Sequence, residues 1–335
     1  MAQVTLEDVA KRVGVTKGAV SKVLNGRPNR IGLKTRESIL NVAKSLNYKP
    51  SFLGQSLSSG KTNMLGFICG DIQLPHYSEF AALALSEVEK IGYRLIISAT
   101  EWDHKKELDC FDKLLEGRVD AILAWSSAIK KGTAQYDYIV RTEYPVVILG
   151  NYEVPDEISS VTTDWQPGFN EAIQHLHSKG HKKIAFISSA SSTEFLQSDF
   201  KWQILNSICG EYGIDLNPLF CPLKEVREQT EVLAQECVVN GTTAVIAYND
   251  YVAMKLMHSI QDKGKKVPDD IAVIGCDGTE FGSYLRPQLT SVGKDFRGIV
   301  RGAIEIINEH LQSDNKSLRG RKMQLPSKLL IRESS

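Results

Sequence analysis

The sequence has no apolar run that approaches the about 20 residues needed to cross a membrane, and Glu7 and Asp8 interrupt the beginning, where a secretion signal is apolar. Its six cysteines show no Cys-x-x-Cys spacing, which favours reduced thiols over a zinc site or a disulfide framework. The Gly-x-Ser-x-Gly elbow and the Gly-x-Gly-x-x-Gly fingerprint are also missing. We therefore expect a cytoplasmic protein that is not an enzyme, has no catalytic residues and uses neither a metal nor a cofactor.

Two partial motifs do not alter that expectation. Residues 54–62 resemble a phosphate-binding loop, but five residues instead of four separate the glycines, and no buried strand precedes them. His177 and His181 are four residues apart, but Gly180 breaks the helix between them and no acidic or thiol ligand lies nearby in sequence.

Net charge is zero over the whole chain, with 40 basic and 40 acidic side chains, but the charge is unevenly placed. Residues 1–61 hold eleven basic and three acidic side chains, a net charge of +8, so the remainder carries −8. A basic head attracts polyanions, whereas an acidic body resists non-specific adhesion to them.

The first 25 residues predict two short helices around a tight turn, and a third helix follows from about residue 33 to 46. Thr5 can cap the first helix, with Asp8 at the third helical position. Gly14 can adopt the positive φ that ends this helix, and Thr16 can cap the second one. This arrangement is typical of a helix-turn-helix that lies on DNA.

The second helix has distinct inner and outer faces. Val20, Val23 and Leu24 face inward at helical spacing. The outward face, which suits phosphates and base edges, consists of Lys17, Gly18, Ser21, Lys22 and Asn25. A small solvated bundle with ordinary surface lysines is the alternative, and the charge distribution argues against it.

These residues also belong to a longer motif: Val4 to Ala10, Gly14 to Thr16, Val20 to Asn25, Thr35-Arg36 and Leu46 to Pro50. With it, the chain resembles the lactose/purine repressor (LacI/GalR) family of bacterial transcription regulators, essentially from Val4 to Ser334. The resemblance implies a helix-turn-helix, a hinge helix and an effector-binding core related to periplasmic sugar-binding proteins. The candidate DNA-binding residues are Thr5, Thr16, Lys17, Gly18, Ser21, Lys22, Asn25, Arg30, Tyr48 and Leu57.

The hinge, Ser51 to Ser58, offers only about two helical turns and contains Gly54, so we expect it to order only against DNA and the partner's hinge. Leu57 matches the family's leucine wedge, which enters the minor groove; alternatively, it packs on its own domain. Gly18, which cannot read a base, and Lys22, where arginine is frequent, depart from the family pattern and weaken any forecast of the operator sequence.

The rest of the chain predicts an α/β fold: two doubly wound, parallel-sheet lobes of the periplasmic-binding-protein type. Apolar, β-branched runs alternate there with amphipathic stretches, and the length exceeds one comfortable core. The predicted strands are 64–69, 94–99, 121–125, 146–149, 183–188, 243–248 and 271–275. The predicted domains are 1–50 for the helix-turn-helix, 51–62 for the hinge and linker, and 63–335 for the core. The resemblance implies the later crossings between the lobes, which gives lobes at about 63–162 with 293–322 and 163–292 with 323–335.

Ligands of such folds bind beyond the carboxyl ends of the strands, in the cleft between the lobes. Carboxylates and amides accept sugar hydroxyls there, and aromatic rings stack on sugar faces. The candidate effector-binding residues are His76, Tyr77, Trp125, Asn151, Lys201, Asp250 and Asp277. The resemblance implies the roles of two of them: Asp277 matches the effector-binding carboxylate, and Lys201 stands where the family has its effector-clamping arginine.

Three of these candidates have structural alternatives. Asp250 could cap the helix that begins near Tyr251, Trp125 could be a core residue at the sheet edge, and Lys201 could be merely solvated. Ile204 stands where the family has a glycine, so the stretch around Lys201 departs most from the pattern.

Three classes of function compete on these observations. A periplasmic-type sugar receptor would need a signal peptide and no helix-turn-helix, and an α/β enzyme would need a catalytic dyad or a phosphate loop. An effector-responsive transcription regulator explains head, hinge and core together. We expect a repressor that acts as a homodimer on palindromic operator DNA, with no membrane partner, and whose operator affinity responds to a small carbohydrate effector.

Overall fold

A computed structural model describes residues 4–25, 30–48, 60–117, 119–222, 225–312 and 320–335, and the chain divides into two units, at Asn63 and Met64. The described part of the first unit contains the helices α1 (Leu6–Val13), α2 (Lys17–Leu24) and α3 (Leu33–Ser45). Leu57 and the rest of the predicted hinge helix lie outside the described residues.

The predicted caps of the first two helices are confirmed. The Thr5 hydroxyl accepts a hydrogen bond from the Asp8 amide at 3.3 Å, while the Asp8 carboxylate accepts one from the Thr5 amide at 2.8 Å. Gly14 ends α1 with a φ of 77°, a left-handed conformation that glycine adopts without strain. The Thr16 hydroxyl accepts the Ala19 amide at 3.2 Å and so begins α2.

The three helices bury a small apolar core between them. Its residues, spaced by helical periods, are Val9, Ala10, Val20, Val23, Ile39 and Ala43. Leu24, which the pattern placed inward, is half-buried at the margin of this core.

The second unit contains two six-stranded sheets, each flanked by helices, and each sheet defines a lobe. The first lobe consists of β1 (Met64–Cys69), α4 (Pro75–Lys90), β2 (Arg94–Ala99), α5 (His104–Leu115), β3 (Ala121–Ala124), α6 (Ala134–Thr142), β4 (Val146–Leu149), β5 (Ser159–Asp164), α12 (Phe296–Gln312) and β11 (Lys322–Pro326). The second consists of α7 (Gln166–Ser178), β6 (Lys183–Ser188), α8 (Thr193–Leu196), α9 (Phe200–Glu211), β7 (Asp215–Phe220), α10 (Val226–Val239), β8 (Ala244–Ala247), α11 (Asp250–Asp262), β9 (Ala272–Asp277), a 3₁₀-helix (Glu280–Tyr284), β10 (Thr290–Gly293) and β12 (Lys328–Leu330). All seven predicted strands are present, with ends that differ by at most two residues.

The two sheets have equivalent strand orders, β11-β5-β4-β3-β1-β2 and β12-β10-β9-β8-β6-β7. All pairs are parallel except β10 with β12. In each sheet the winding direction reverses where the first strand lies beside the third, at β1/β3 and at β6/β8. The carboxyl ends of strands at such a switch point form a crevice, which locates the ligand site of each lobe.

Within the described residues the chain crosses between the lobes three times, and two of the crossings lie two to four residues after the approximate boundaries that the sequence predicted. Residues 163–164 and 323–326 belong to the first lobe and not to the second. The reason is strand pairing, because β5 continues to Asp164 and β11 pairs with it in parallel, with Met323 beside Val161. The crossings therefore lie at residues 164–166, 293–296 and 326–328.

Candidate functional site

The outer face of α2 presents the predicted DNA-contacting side chains in two groups. Lys17, Gly18 and Lys22 are exposed, whereas Ser21 and Asn25 are half-buried. The Asn25 amide donates to the Ser21 hydroxyl at 3.2 Å, one helical turn away. This hydrogen-bonded pair shares the outer face of α2 with the exposed Lys17 and Lys22, an arrangement suited to a base edge and neighbouring phosphates.

The other predicted head residues differ in how freely they can contact DNA. Arg30 is exposed and Tyr48 is half-buried against the head core. The Thr5 and Thr16 hydroxyls are engaged as helix caps, so their first role is to position α1 and α2.

A cavity of about 230 Å³ lies at the carboxyl ends of the strands, between the two lobes of the core. Six of the seven predicted effector residues line it, which brings together side chains up to 201 positions apart in sequence, from His76 to Asp277. Its lining consists of His76, Tyr77, Trp125, Gly150, Asn151, Tyr152, Ser189, Asp199, Phe200, Lys201, Tyr248, Asn249, Asp277 and Lys294.

Asp277 is the last residue of β9 and has a φ of 126°, a strained conformation for any residue but glycine. Gly278 follows with a φ of 75°, and a Cβ on it would lie 2.4 Å from the Cα of Gly293. The close approach of β9 and β10 thus fixes the turn that aims the Asp277 carboxylate. Strain of this kind is typical of functional sites, where the surrounding packing maintains it.

Lys294, which the sequence analysis did not identify, is the main partner of Asp277. Its Nζ lies 2.7 Å from Asp277 Oδ1, and both side chains are less than a tenth exposed. Burial alone raises the pKa of Asp277, but the Lys294 ammonium, with contributions from His76 and Lys201, holds it below its usual value. The carboxylate is therefore charged at neutral pH and is paired with a cation of the protein itself.

His76 contacts the same carboxylate from the first lobe, with Nδ1 3.5 Å from Asp277 Oδ2. Burial lowers the pKa of His76 to about 3, even though the charge of Asp277 opposes that shift. The imidazole is therefore neutral at neutral pH and offers a hydrogen bond to a ligand or to Asp277, not a charge.

Aromatic rings form the wall of the cavity in the first lobe. The Trp125 ring packs edge-on against Phe80 and Tyr77, at centroid distances of 4.9 and 5.5 Å. Trp125 is 8% exposed and lines the cavity, so it is a core residue and a wall residue together. Such a rigid apolar surface suits the face of a sugar ring.

Asn151 serves mainly as a brace for this wall. Its amide nitrogen donates to the Thr163 carbonyl at 2.7 Å, and its amide oxygen accepts the Trp165 indole N–H at 3.1 Å. These bonds tie the end of β4 to the first crossing. Asn151 lines the cavity, but most of its hydrogen-bonding capacity is used within the protein.

Lys201 lies on the second-lobe wall at the start of α9. Its ammonium donates to the Tyr248 carbonyl at 2.5 Å and lies 4.1 Å from the centroid of the Trp165 ring. It is thus half-buried and held by specific contacts, which excludes the reading of a merely solvated lysine.

Asp250 is not among the residues that line the cavity, so the geometry of the cavity does not support its predicted contact with the effector. Its alternative role as a helix cap was wrong, because Asn249 caps α11 by accepting the Val252 amide at 2.8 Å. The Asp250 carboxylate accepts bonds from the Thr279 amide and hydroxyl at 2.7 and 2.8 Å, and from Ser291. Burial and the charge of Asp277 raise the pKa of Asp250 to about 7. Asp250 therefore stabilises the turn after β9 through these hydrogen bonds, without lining the cavity.

The described residues contain no cluster of three or more histidine, cysteine, aspartate or glutamate side chains that could hold a metal ion. In the same part of the chain, every helix is too short or too polar to span a bilayer.

A three-helix DNA-contacting head joined to a two-lobed core with an inter-lobe cavity defines a DNA-binding regulator with an effector-binding core. Two protein-family models match the chain and support this description. The model of bacterial regulatory proteins of the lacI family matches residues 5–51, and the model of a periplasmic binding protein-like domain matches residues 173–335. The chain thus combines a lacI-family DNA-binding domain with a periplasmic-binding-protein-like domain, which is the domain composition of a transcription regulator.

Individual relatives match over nearly the whole length. Catabolite control protein A of Priestia megaterium is 28% identical, over 99% of both chains. The HTH-type transcriptional regulator DegA of Bacillus subtilis (strain 168) is 29% identical, over 99% of this chain and 98% of its own. The fold is similar to that of the lac repressor dimer bound to operator and the anti-inducer ONPF, with a TM-score of 0.79, 24% identity and 99% coverage of both chains.

Proposed function

We propose that the chain represses transcription as a homodimer on a palindromic operator, and that a small carbohydrate or sugar derivative in the inter-lobe cavity changes its operator affinity. The observation that carries the proposal is the cavity, whose walls come from both lobes and whose polar groups meet at Asp277. We also place the protein in the cytoplasm, where its operator is accessible, and assign it no enzymatic activity.

A cavity built from two lobes provides a physical basis for switching. A ligand shifts a conformational equilibrium only if it binds one state better than the other. A ligand that contacts Trp125 on one wall and Lys201 on the other does so only when the lobes are close together. It therefore stabilises closure, and couplings of this kind are typically about 1–3 kcal/mol.

The chemistry of the walls favours a hydroxylated ligand. The Trp125 and Tyr77 rings offer an apolar face, while Asp277 and the neutral His76 offer acceptors and a donor. The alternative function, a sugar receptor without direct gene control, is disfavoured by the net charge of +8 over residues 1–61.

The proposed role of Leu57 as a wedge at the meeting point of two hinges is tested with the variant Leu57→Ala. We expect this variant to lose affinity for operator DNA more than for random DNA, because the wedge acts only where two hinges meet, whereas phosphate contacts act on any duplex. Binding to both DNAs is measured by fluorescence anisotropy, with the half-exposed Leu40→Ala in α3 as the matched control.

An equal loss on both DNAs would remove Leu57 from the wedge role. Light scattering of the operator complex measures the stoichiometry, for which we expect two chains per operator. One chain per operator would contradict the homodimer.

A further inference from the structure

We infer that the effector carries an anionic group, a carboxylate or a phosphate, which binds the Lys201 ammonium, and that the Tyr248 hydroxyl supplies a second hydrogen bond to the same ligand. The inference rests on the proposed function, since it takes the inter-lobe cavity as the effector site.

The charge of Lys201 is not neutralised within the described part of the protein. Its one hydrogen bond there goes to the Tyr248 carbonyl, a neutral acceptor, and no described carboxylate lies within ion-pair distance. An ammonium has three donors, so two remain after this bond. The Trp165 ring adds an attraction for the cation but no formal charge.

The other charged groups of the cavity are an ion pair, Asp277 with Lys294, and the Asp199 carboxylate, which accepts hydrogen bonds from neutral donors only. Lys294 neutralises Asp277 at 2.7 Å. Asp199 caps α9 by accepting the amides of Lys201 and Trp202 at 3.0 and 3.3 Å, and its other oxygen accepts the Ser188 hydroxyl at 2.5 Å. Among the described residues, Lys201 is therefore the cation of this cavity without a carboxylate at ion-pair distance, and an anionic ligand can supply that partner.

Tyr248 provides a second, independent observation. Its hydroxyl oxygen is buried and has no hydrogen-bond partner among the described residues, although Tyr248 lines the cavity and is 7% exposed. Burial, with the charge of Asp277 as a further cause, raises the pKa of Tyr248 well above its usual value, so the hydroxyl keeps its proton. Buried hydroxyls are rarely left unsatisfied, so the Tyr248 hydroxyl requires a partner, and a ligand in the cavity that Tyr248 lines can supply it.

The cavity volume limits the ligand. About 230 Å³ lies below the about 300–1,000 Å³ typical of sites for drug-sized molecules, so the ligand is small. A single sugar unit with one acidic group matches that size and combines hydroxyls for Asp277 with an anion for Lys201.

The test compares inorganic phosphate and acetate with chloride at equal ionic strength, using thermal unfolding of the full chain. We expect phosphate or acetate at about ten times its dissociation constant to raise the midpoint by about 2–4 °C relative to chloride. This shift should disappear in Lys201→Met, which keeps most of the side-chain volume. The exposed Lys179→Met in the same lobe is the matched control and should respond as the wild type does. An unchanged shift in Lys201→Met, or no shift in the wild type, would overturn the inference.

A second arm distinguishes the two anions and tests Tyr248. Titration calorimetry with hexoses, the matching hexuronates and the hexose 6-phosphates should show binding only by one charged series. Tyr248→Phe should weaken that binding about 5–10-fold, in line with one lost hydrogen bond of about 1–1.4 kcal/mol, and leave the unliganded midpoint unchanged or raised. Binding of neutral hexoses alone would overturn the inference, and so would equal affinity in Tyr248→Phe.

Failures of the two proposals are distinguishable. A neutral sugar that changes operator affinity would leave the proposed regulation intact and remove the anionic effector. A charged ligand that binds through Lys201 but leaves operator affinity unchanged would support the anionic ligand and contradict the proposed regulation.

Discussion

Raising the salt concentration from 50 to 200 mM should lower the affinity of the full chain for duplex DNA by about 10³–10⁵-fold. The physical reason is counterion release, since two heads, each with a net charge of +8 over residues 1–61, make on the order of 6–10 phosphate contacts. The exposed Lys17, Lys22 and Arg30 contribute to these contacts. Anisotropy titrations at five salt concentrations give the slope of log affinity against log salt, which we expect between about −5 and −9.

Two variants sharpen this measurement. Lys22→Gln should weaken binding to all sequences and make the slope less steep by about one unit if it contacts a phosphate. Removal of residues 1–60 should abolish binding, because the remaining chain is acidic. A slope near zero, or unchanged binding after this deletion, would show that the head is not the DNA-binding part.

Lys294→Met should destabilise the core by about 3–5 kcal/mol, because it leaves the Asp277 carboxylate buried without its ionic partner. The double variant Lys294→Met/Asp277→Asn removes both charges and should regain most of this loss. Urea unfolding gives the free energies, and the exposed Lys328→Met, in β12, is the control.

The pH dependence of the free energy of unfolding provides an independent test of the Asp277–Lys294 pair. In the wild type the pKa of Asp277 is lowered, so the pair stabilises the fold above the unfolded pKa, and this stability is lost as pH falls through the folded pKa. In Lys294→Met burial dominates and raises the pKa of Asp277, so the cost should be larger at pH 7 than at pH 5. Equal stability of the wild type and Lys294→Met at pH 7 would show that the pair is not coupled.

The strands that the sequence predicted are those with a continuous apolar, β-branched run, such as β1 and β8, because strands buried on both faces must be apolar throughout. The strands that it missed are more polar. β5 reads Ser-Ser-Val-Thr-Thr-Asp, β7 lies at a sheet edge and contains Pro218, and β10 has four residues. Their identity depends on pairing partners, such as β11 for β5, that lie far away in sequence.

The dependence of strand identity on pairing partners far away in sequence also explains why Lys294 was missed as a cavity residue. The rule that ligands bind beyond strand ends selected Trp125 and Asp277 correctly as wall residues, but Lys294 follows β10, a strand that the sequence did not reveal. The rule also selected Asp250, which does not line the cavity, because the rule does not give the direction of a side chain. In the structure that carboxylate points toward Thr279 and away from the cavity.

The central claim, that a ligand in the inter-lobe cavity controls DNA binding, is tested most directly by operator affinity with and without a saturating ligand, in the wild type and in Asp277→Asn. We expect the ligand to change the wild-type affinity by about 5–150-fold. In Asp277→Asn this ratio should fall to about one, while the ligand-free operator affinity remains within about twofold of the wild type. A ligand effect that survives Asp277→Asn at full strength would contradict the account.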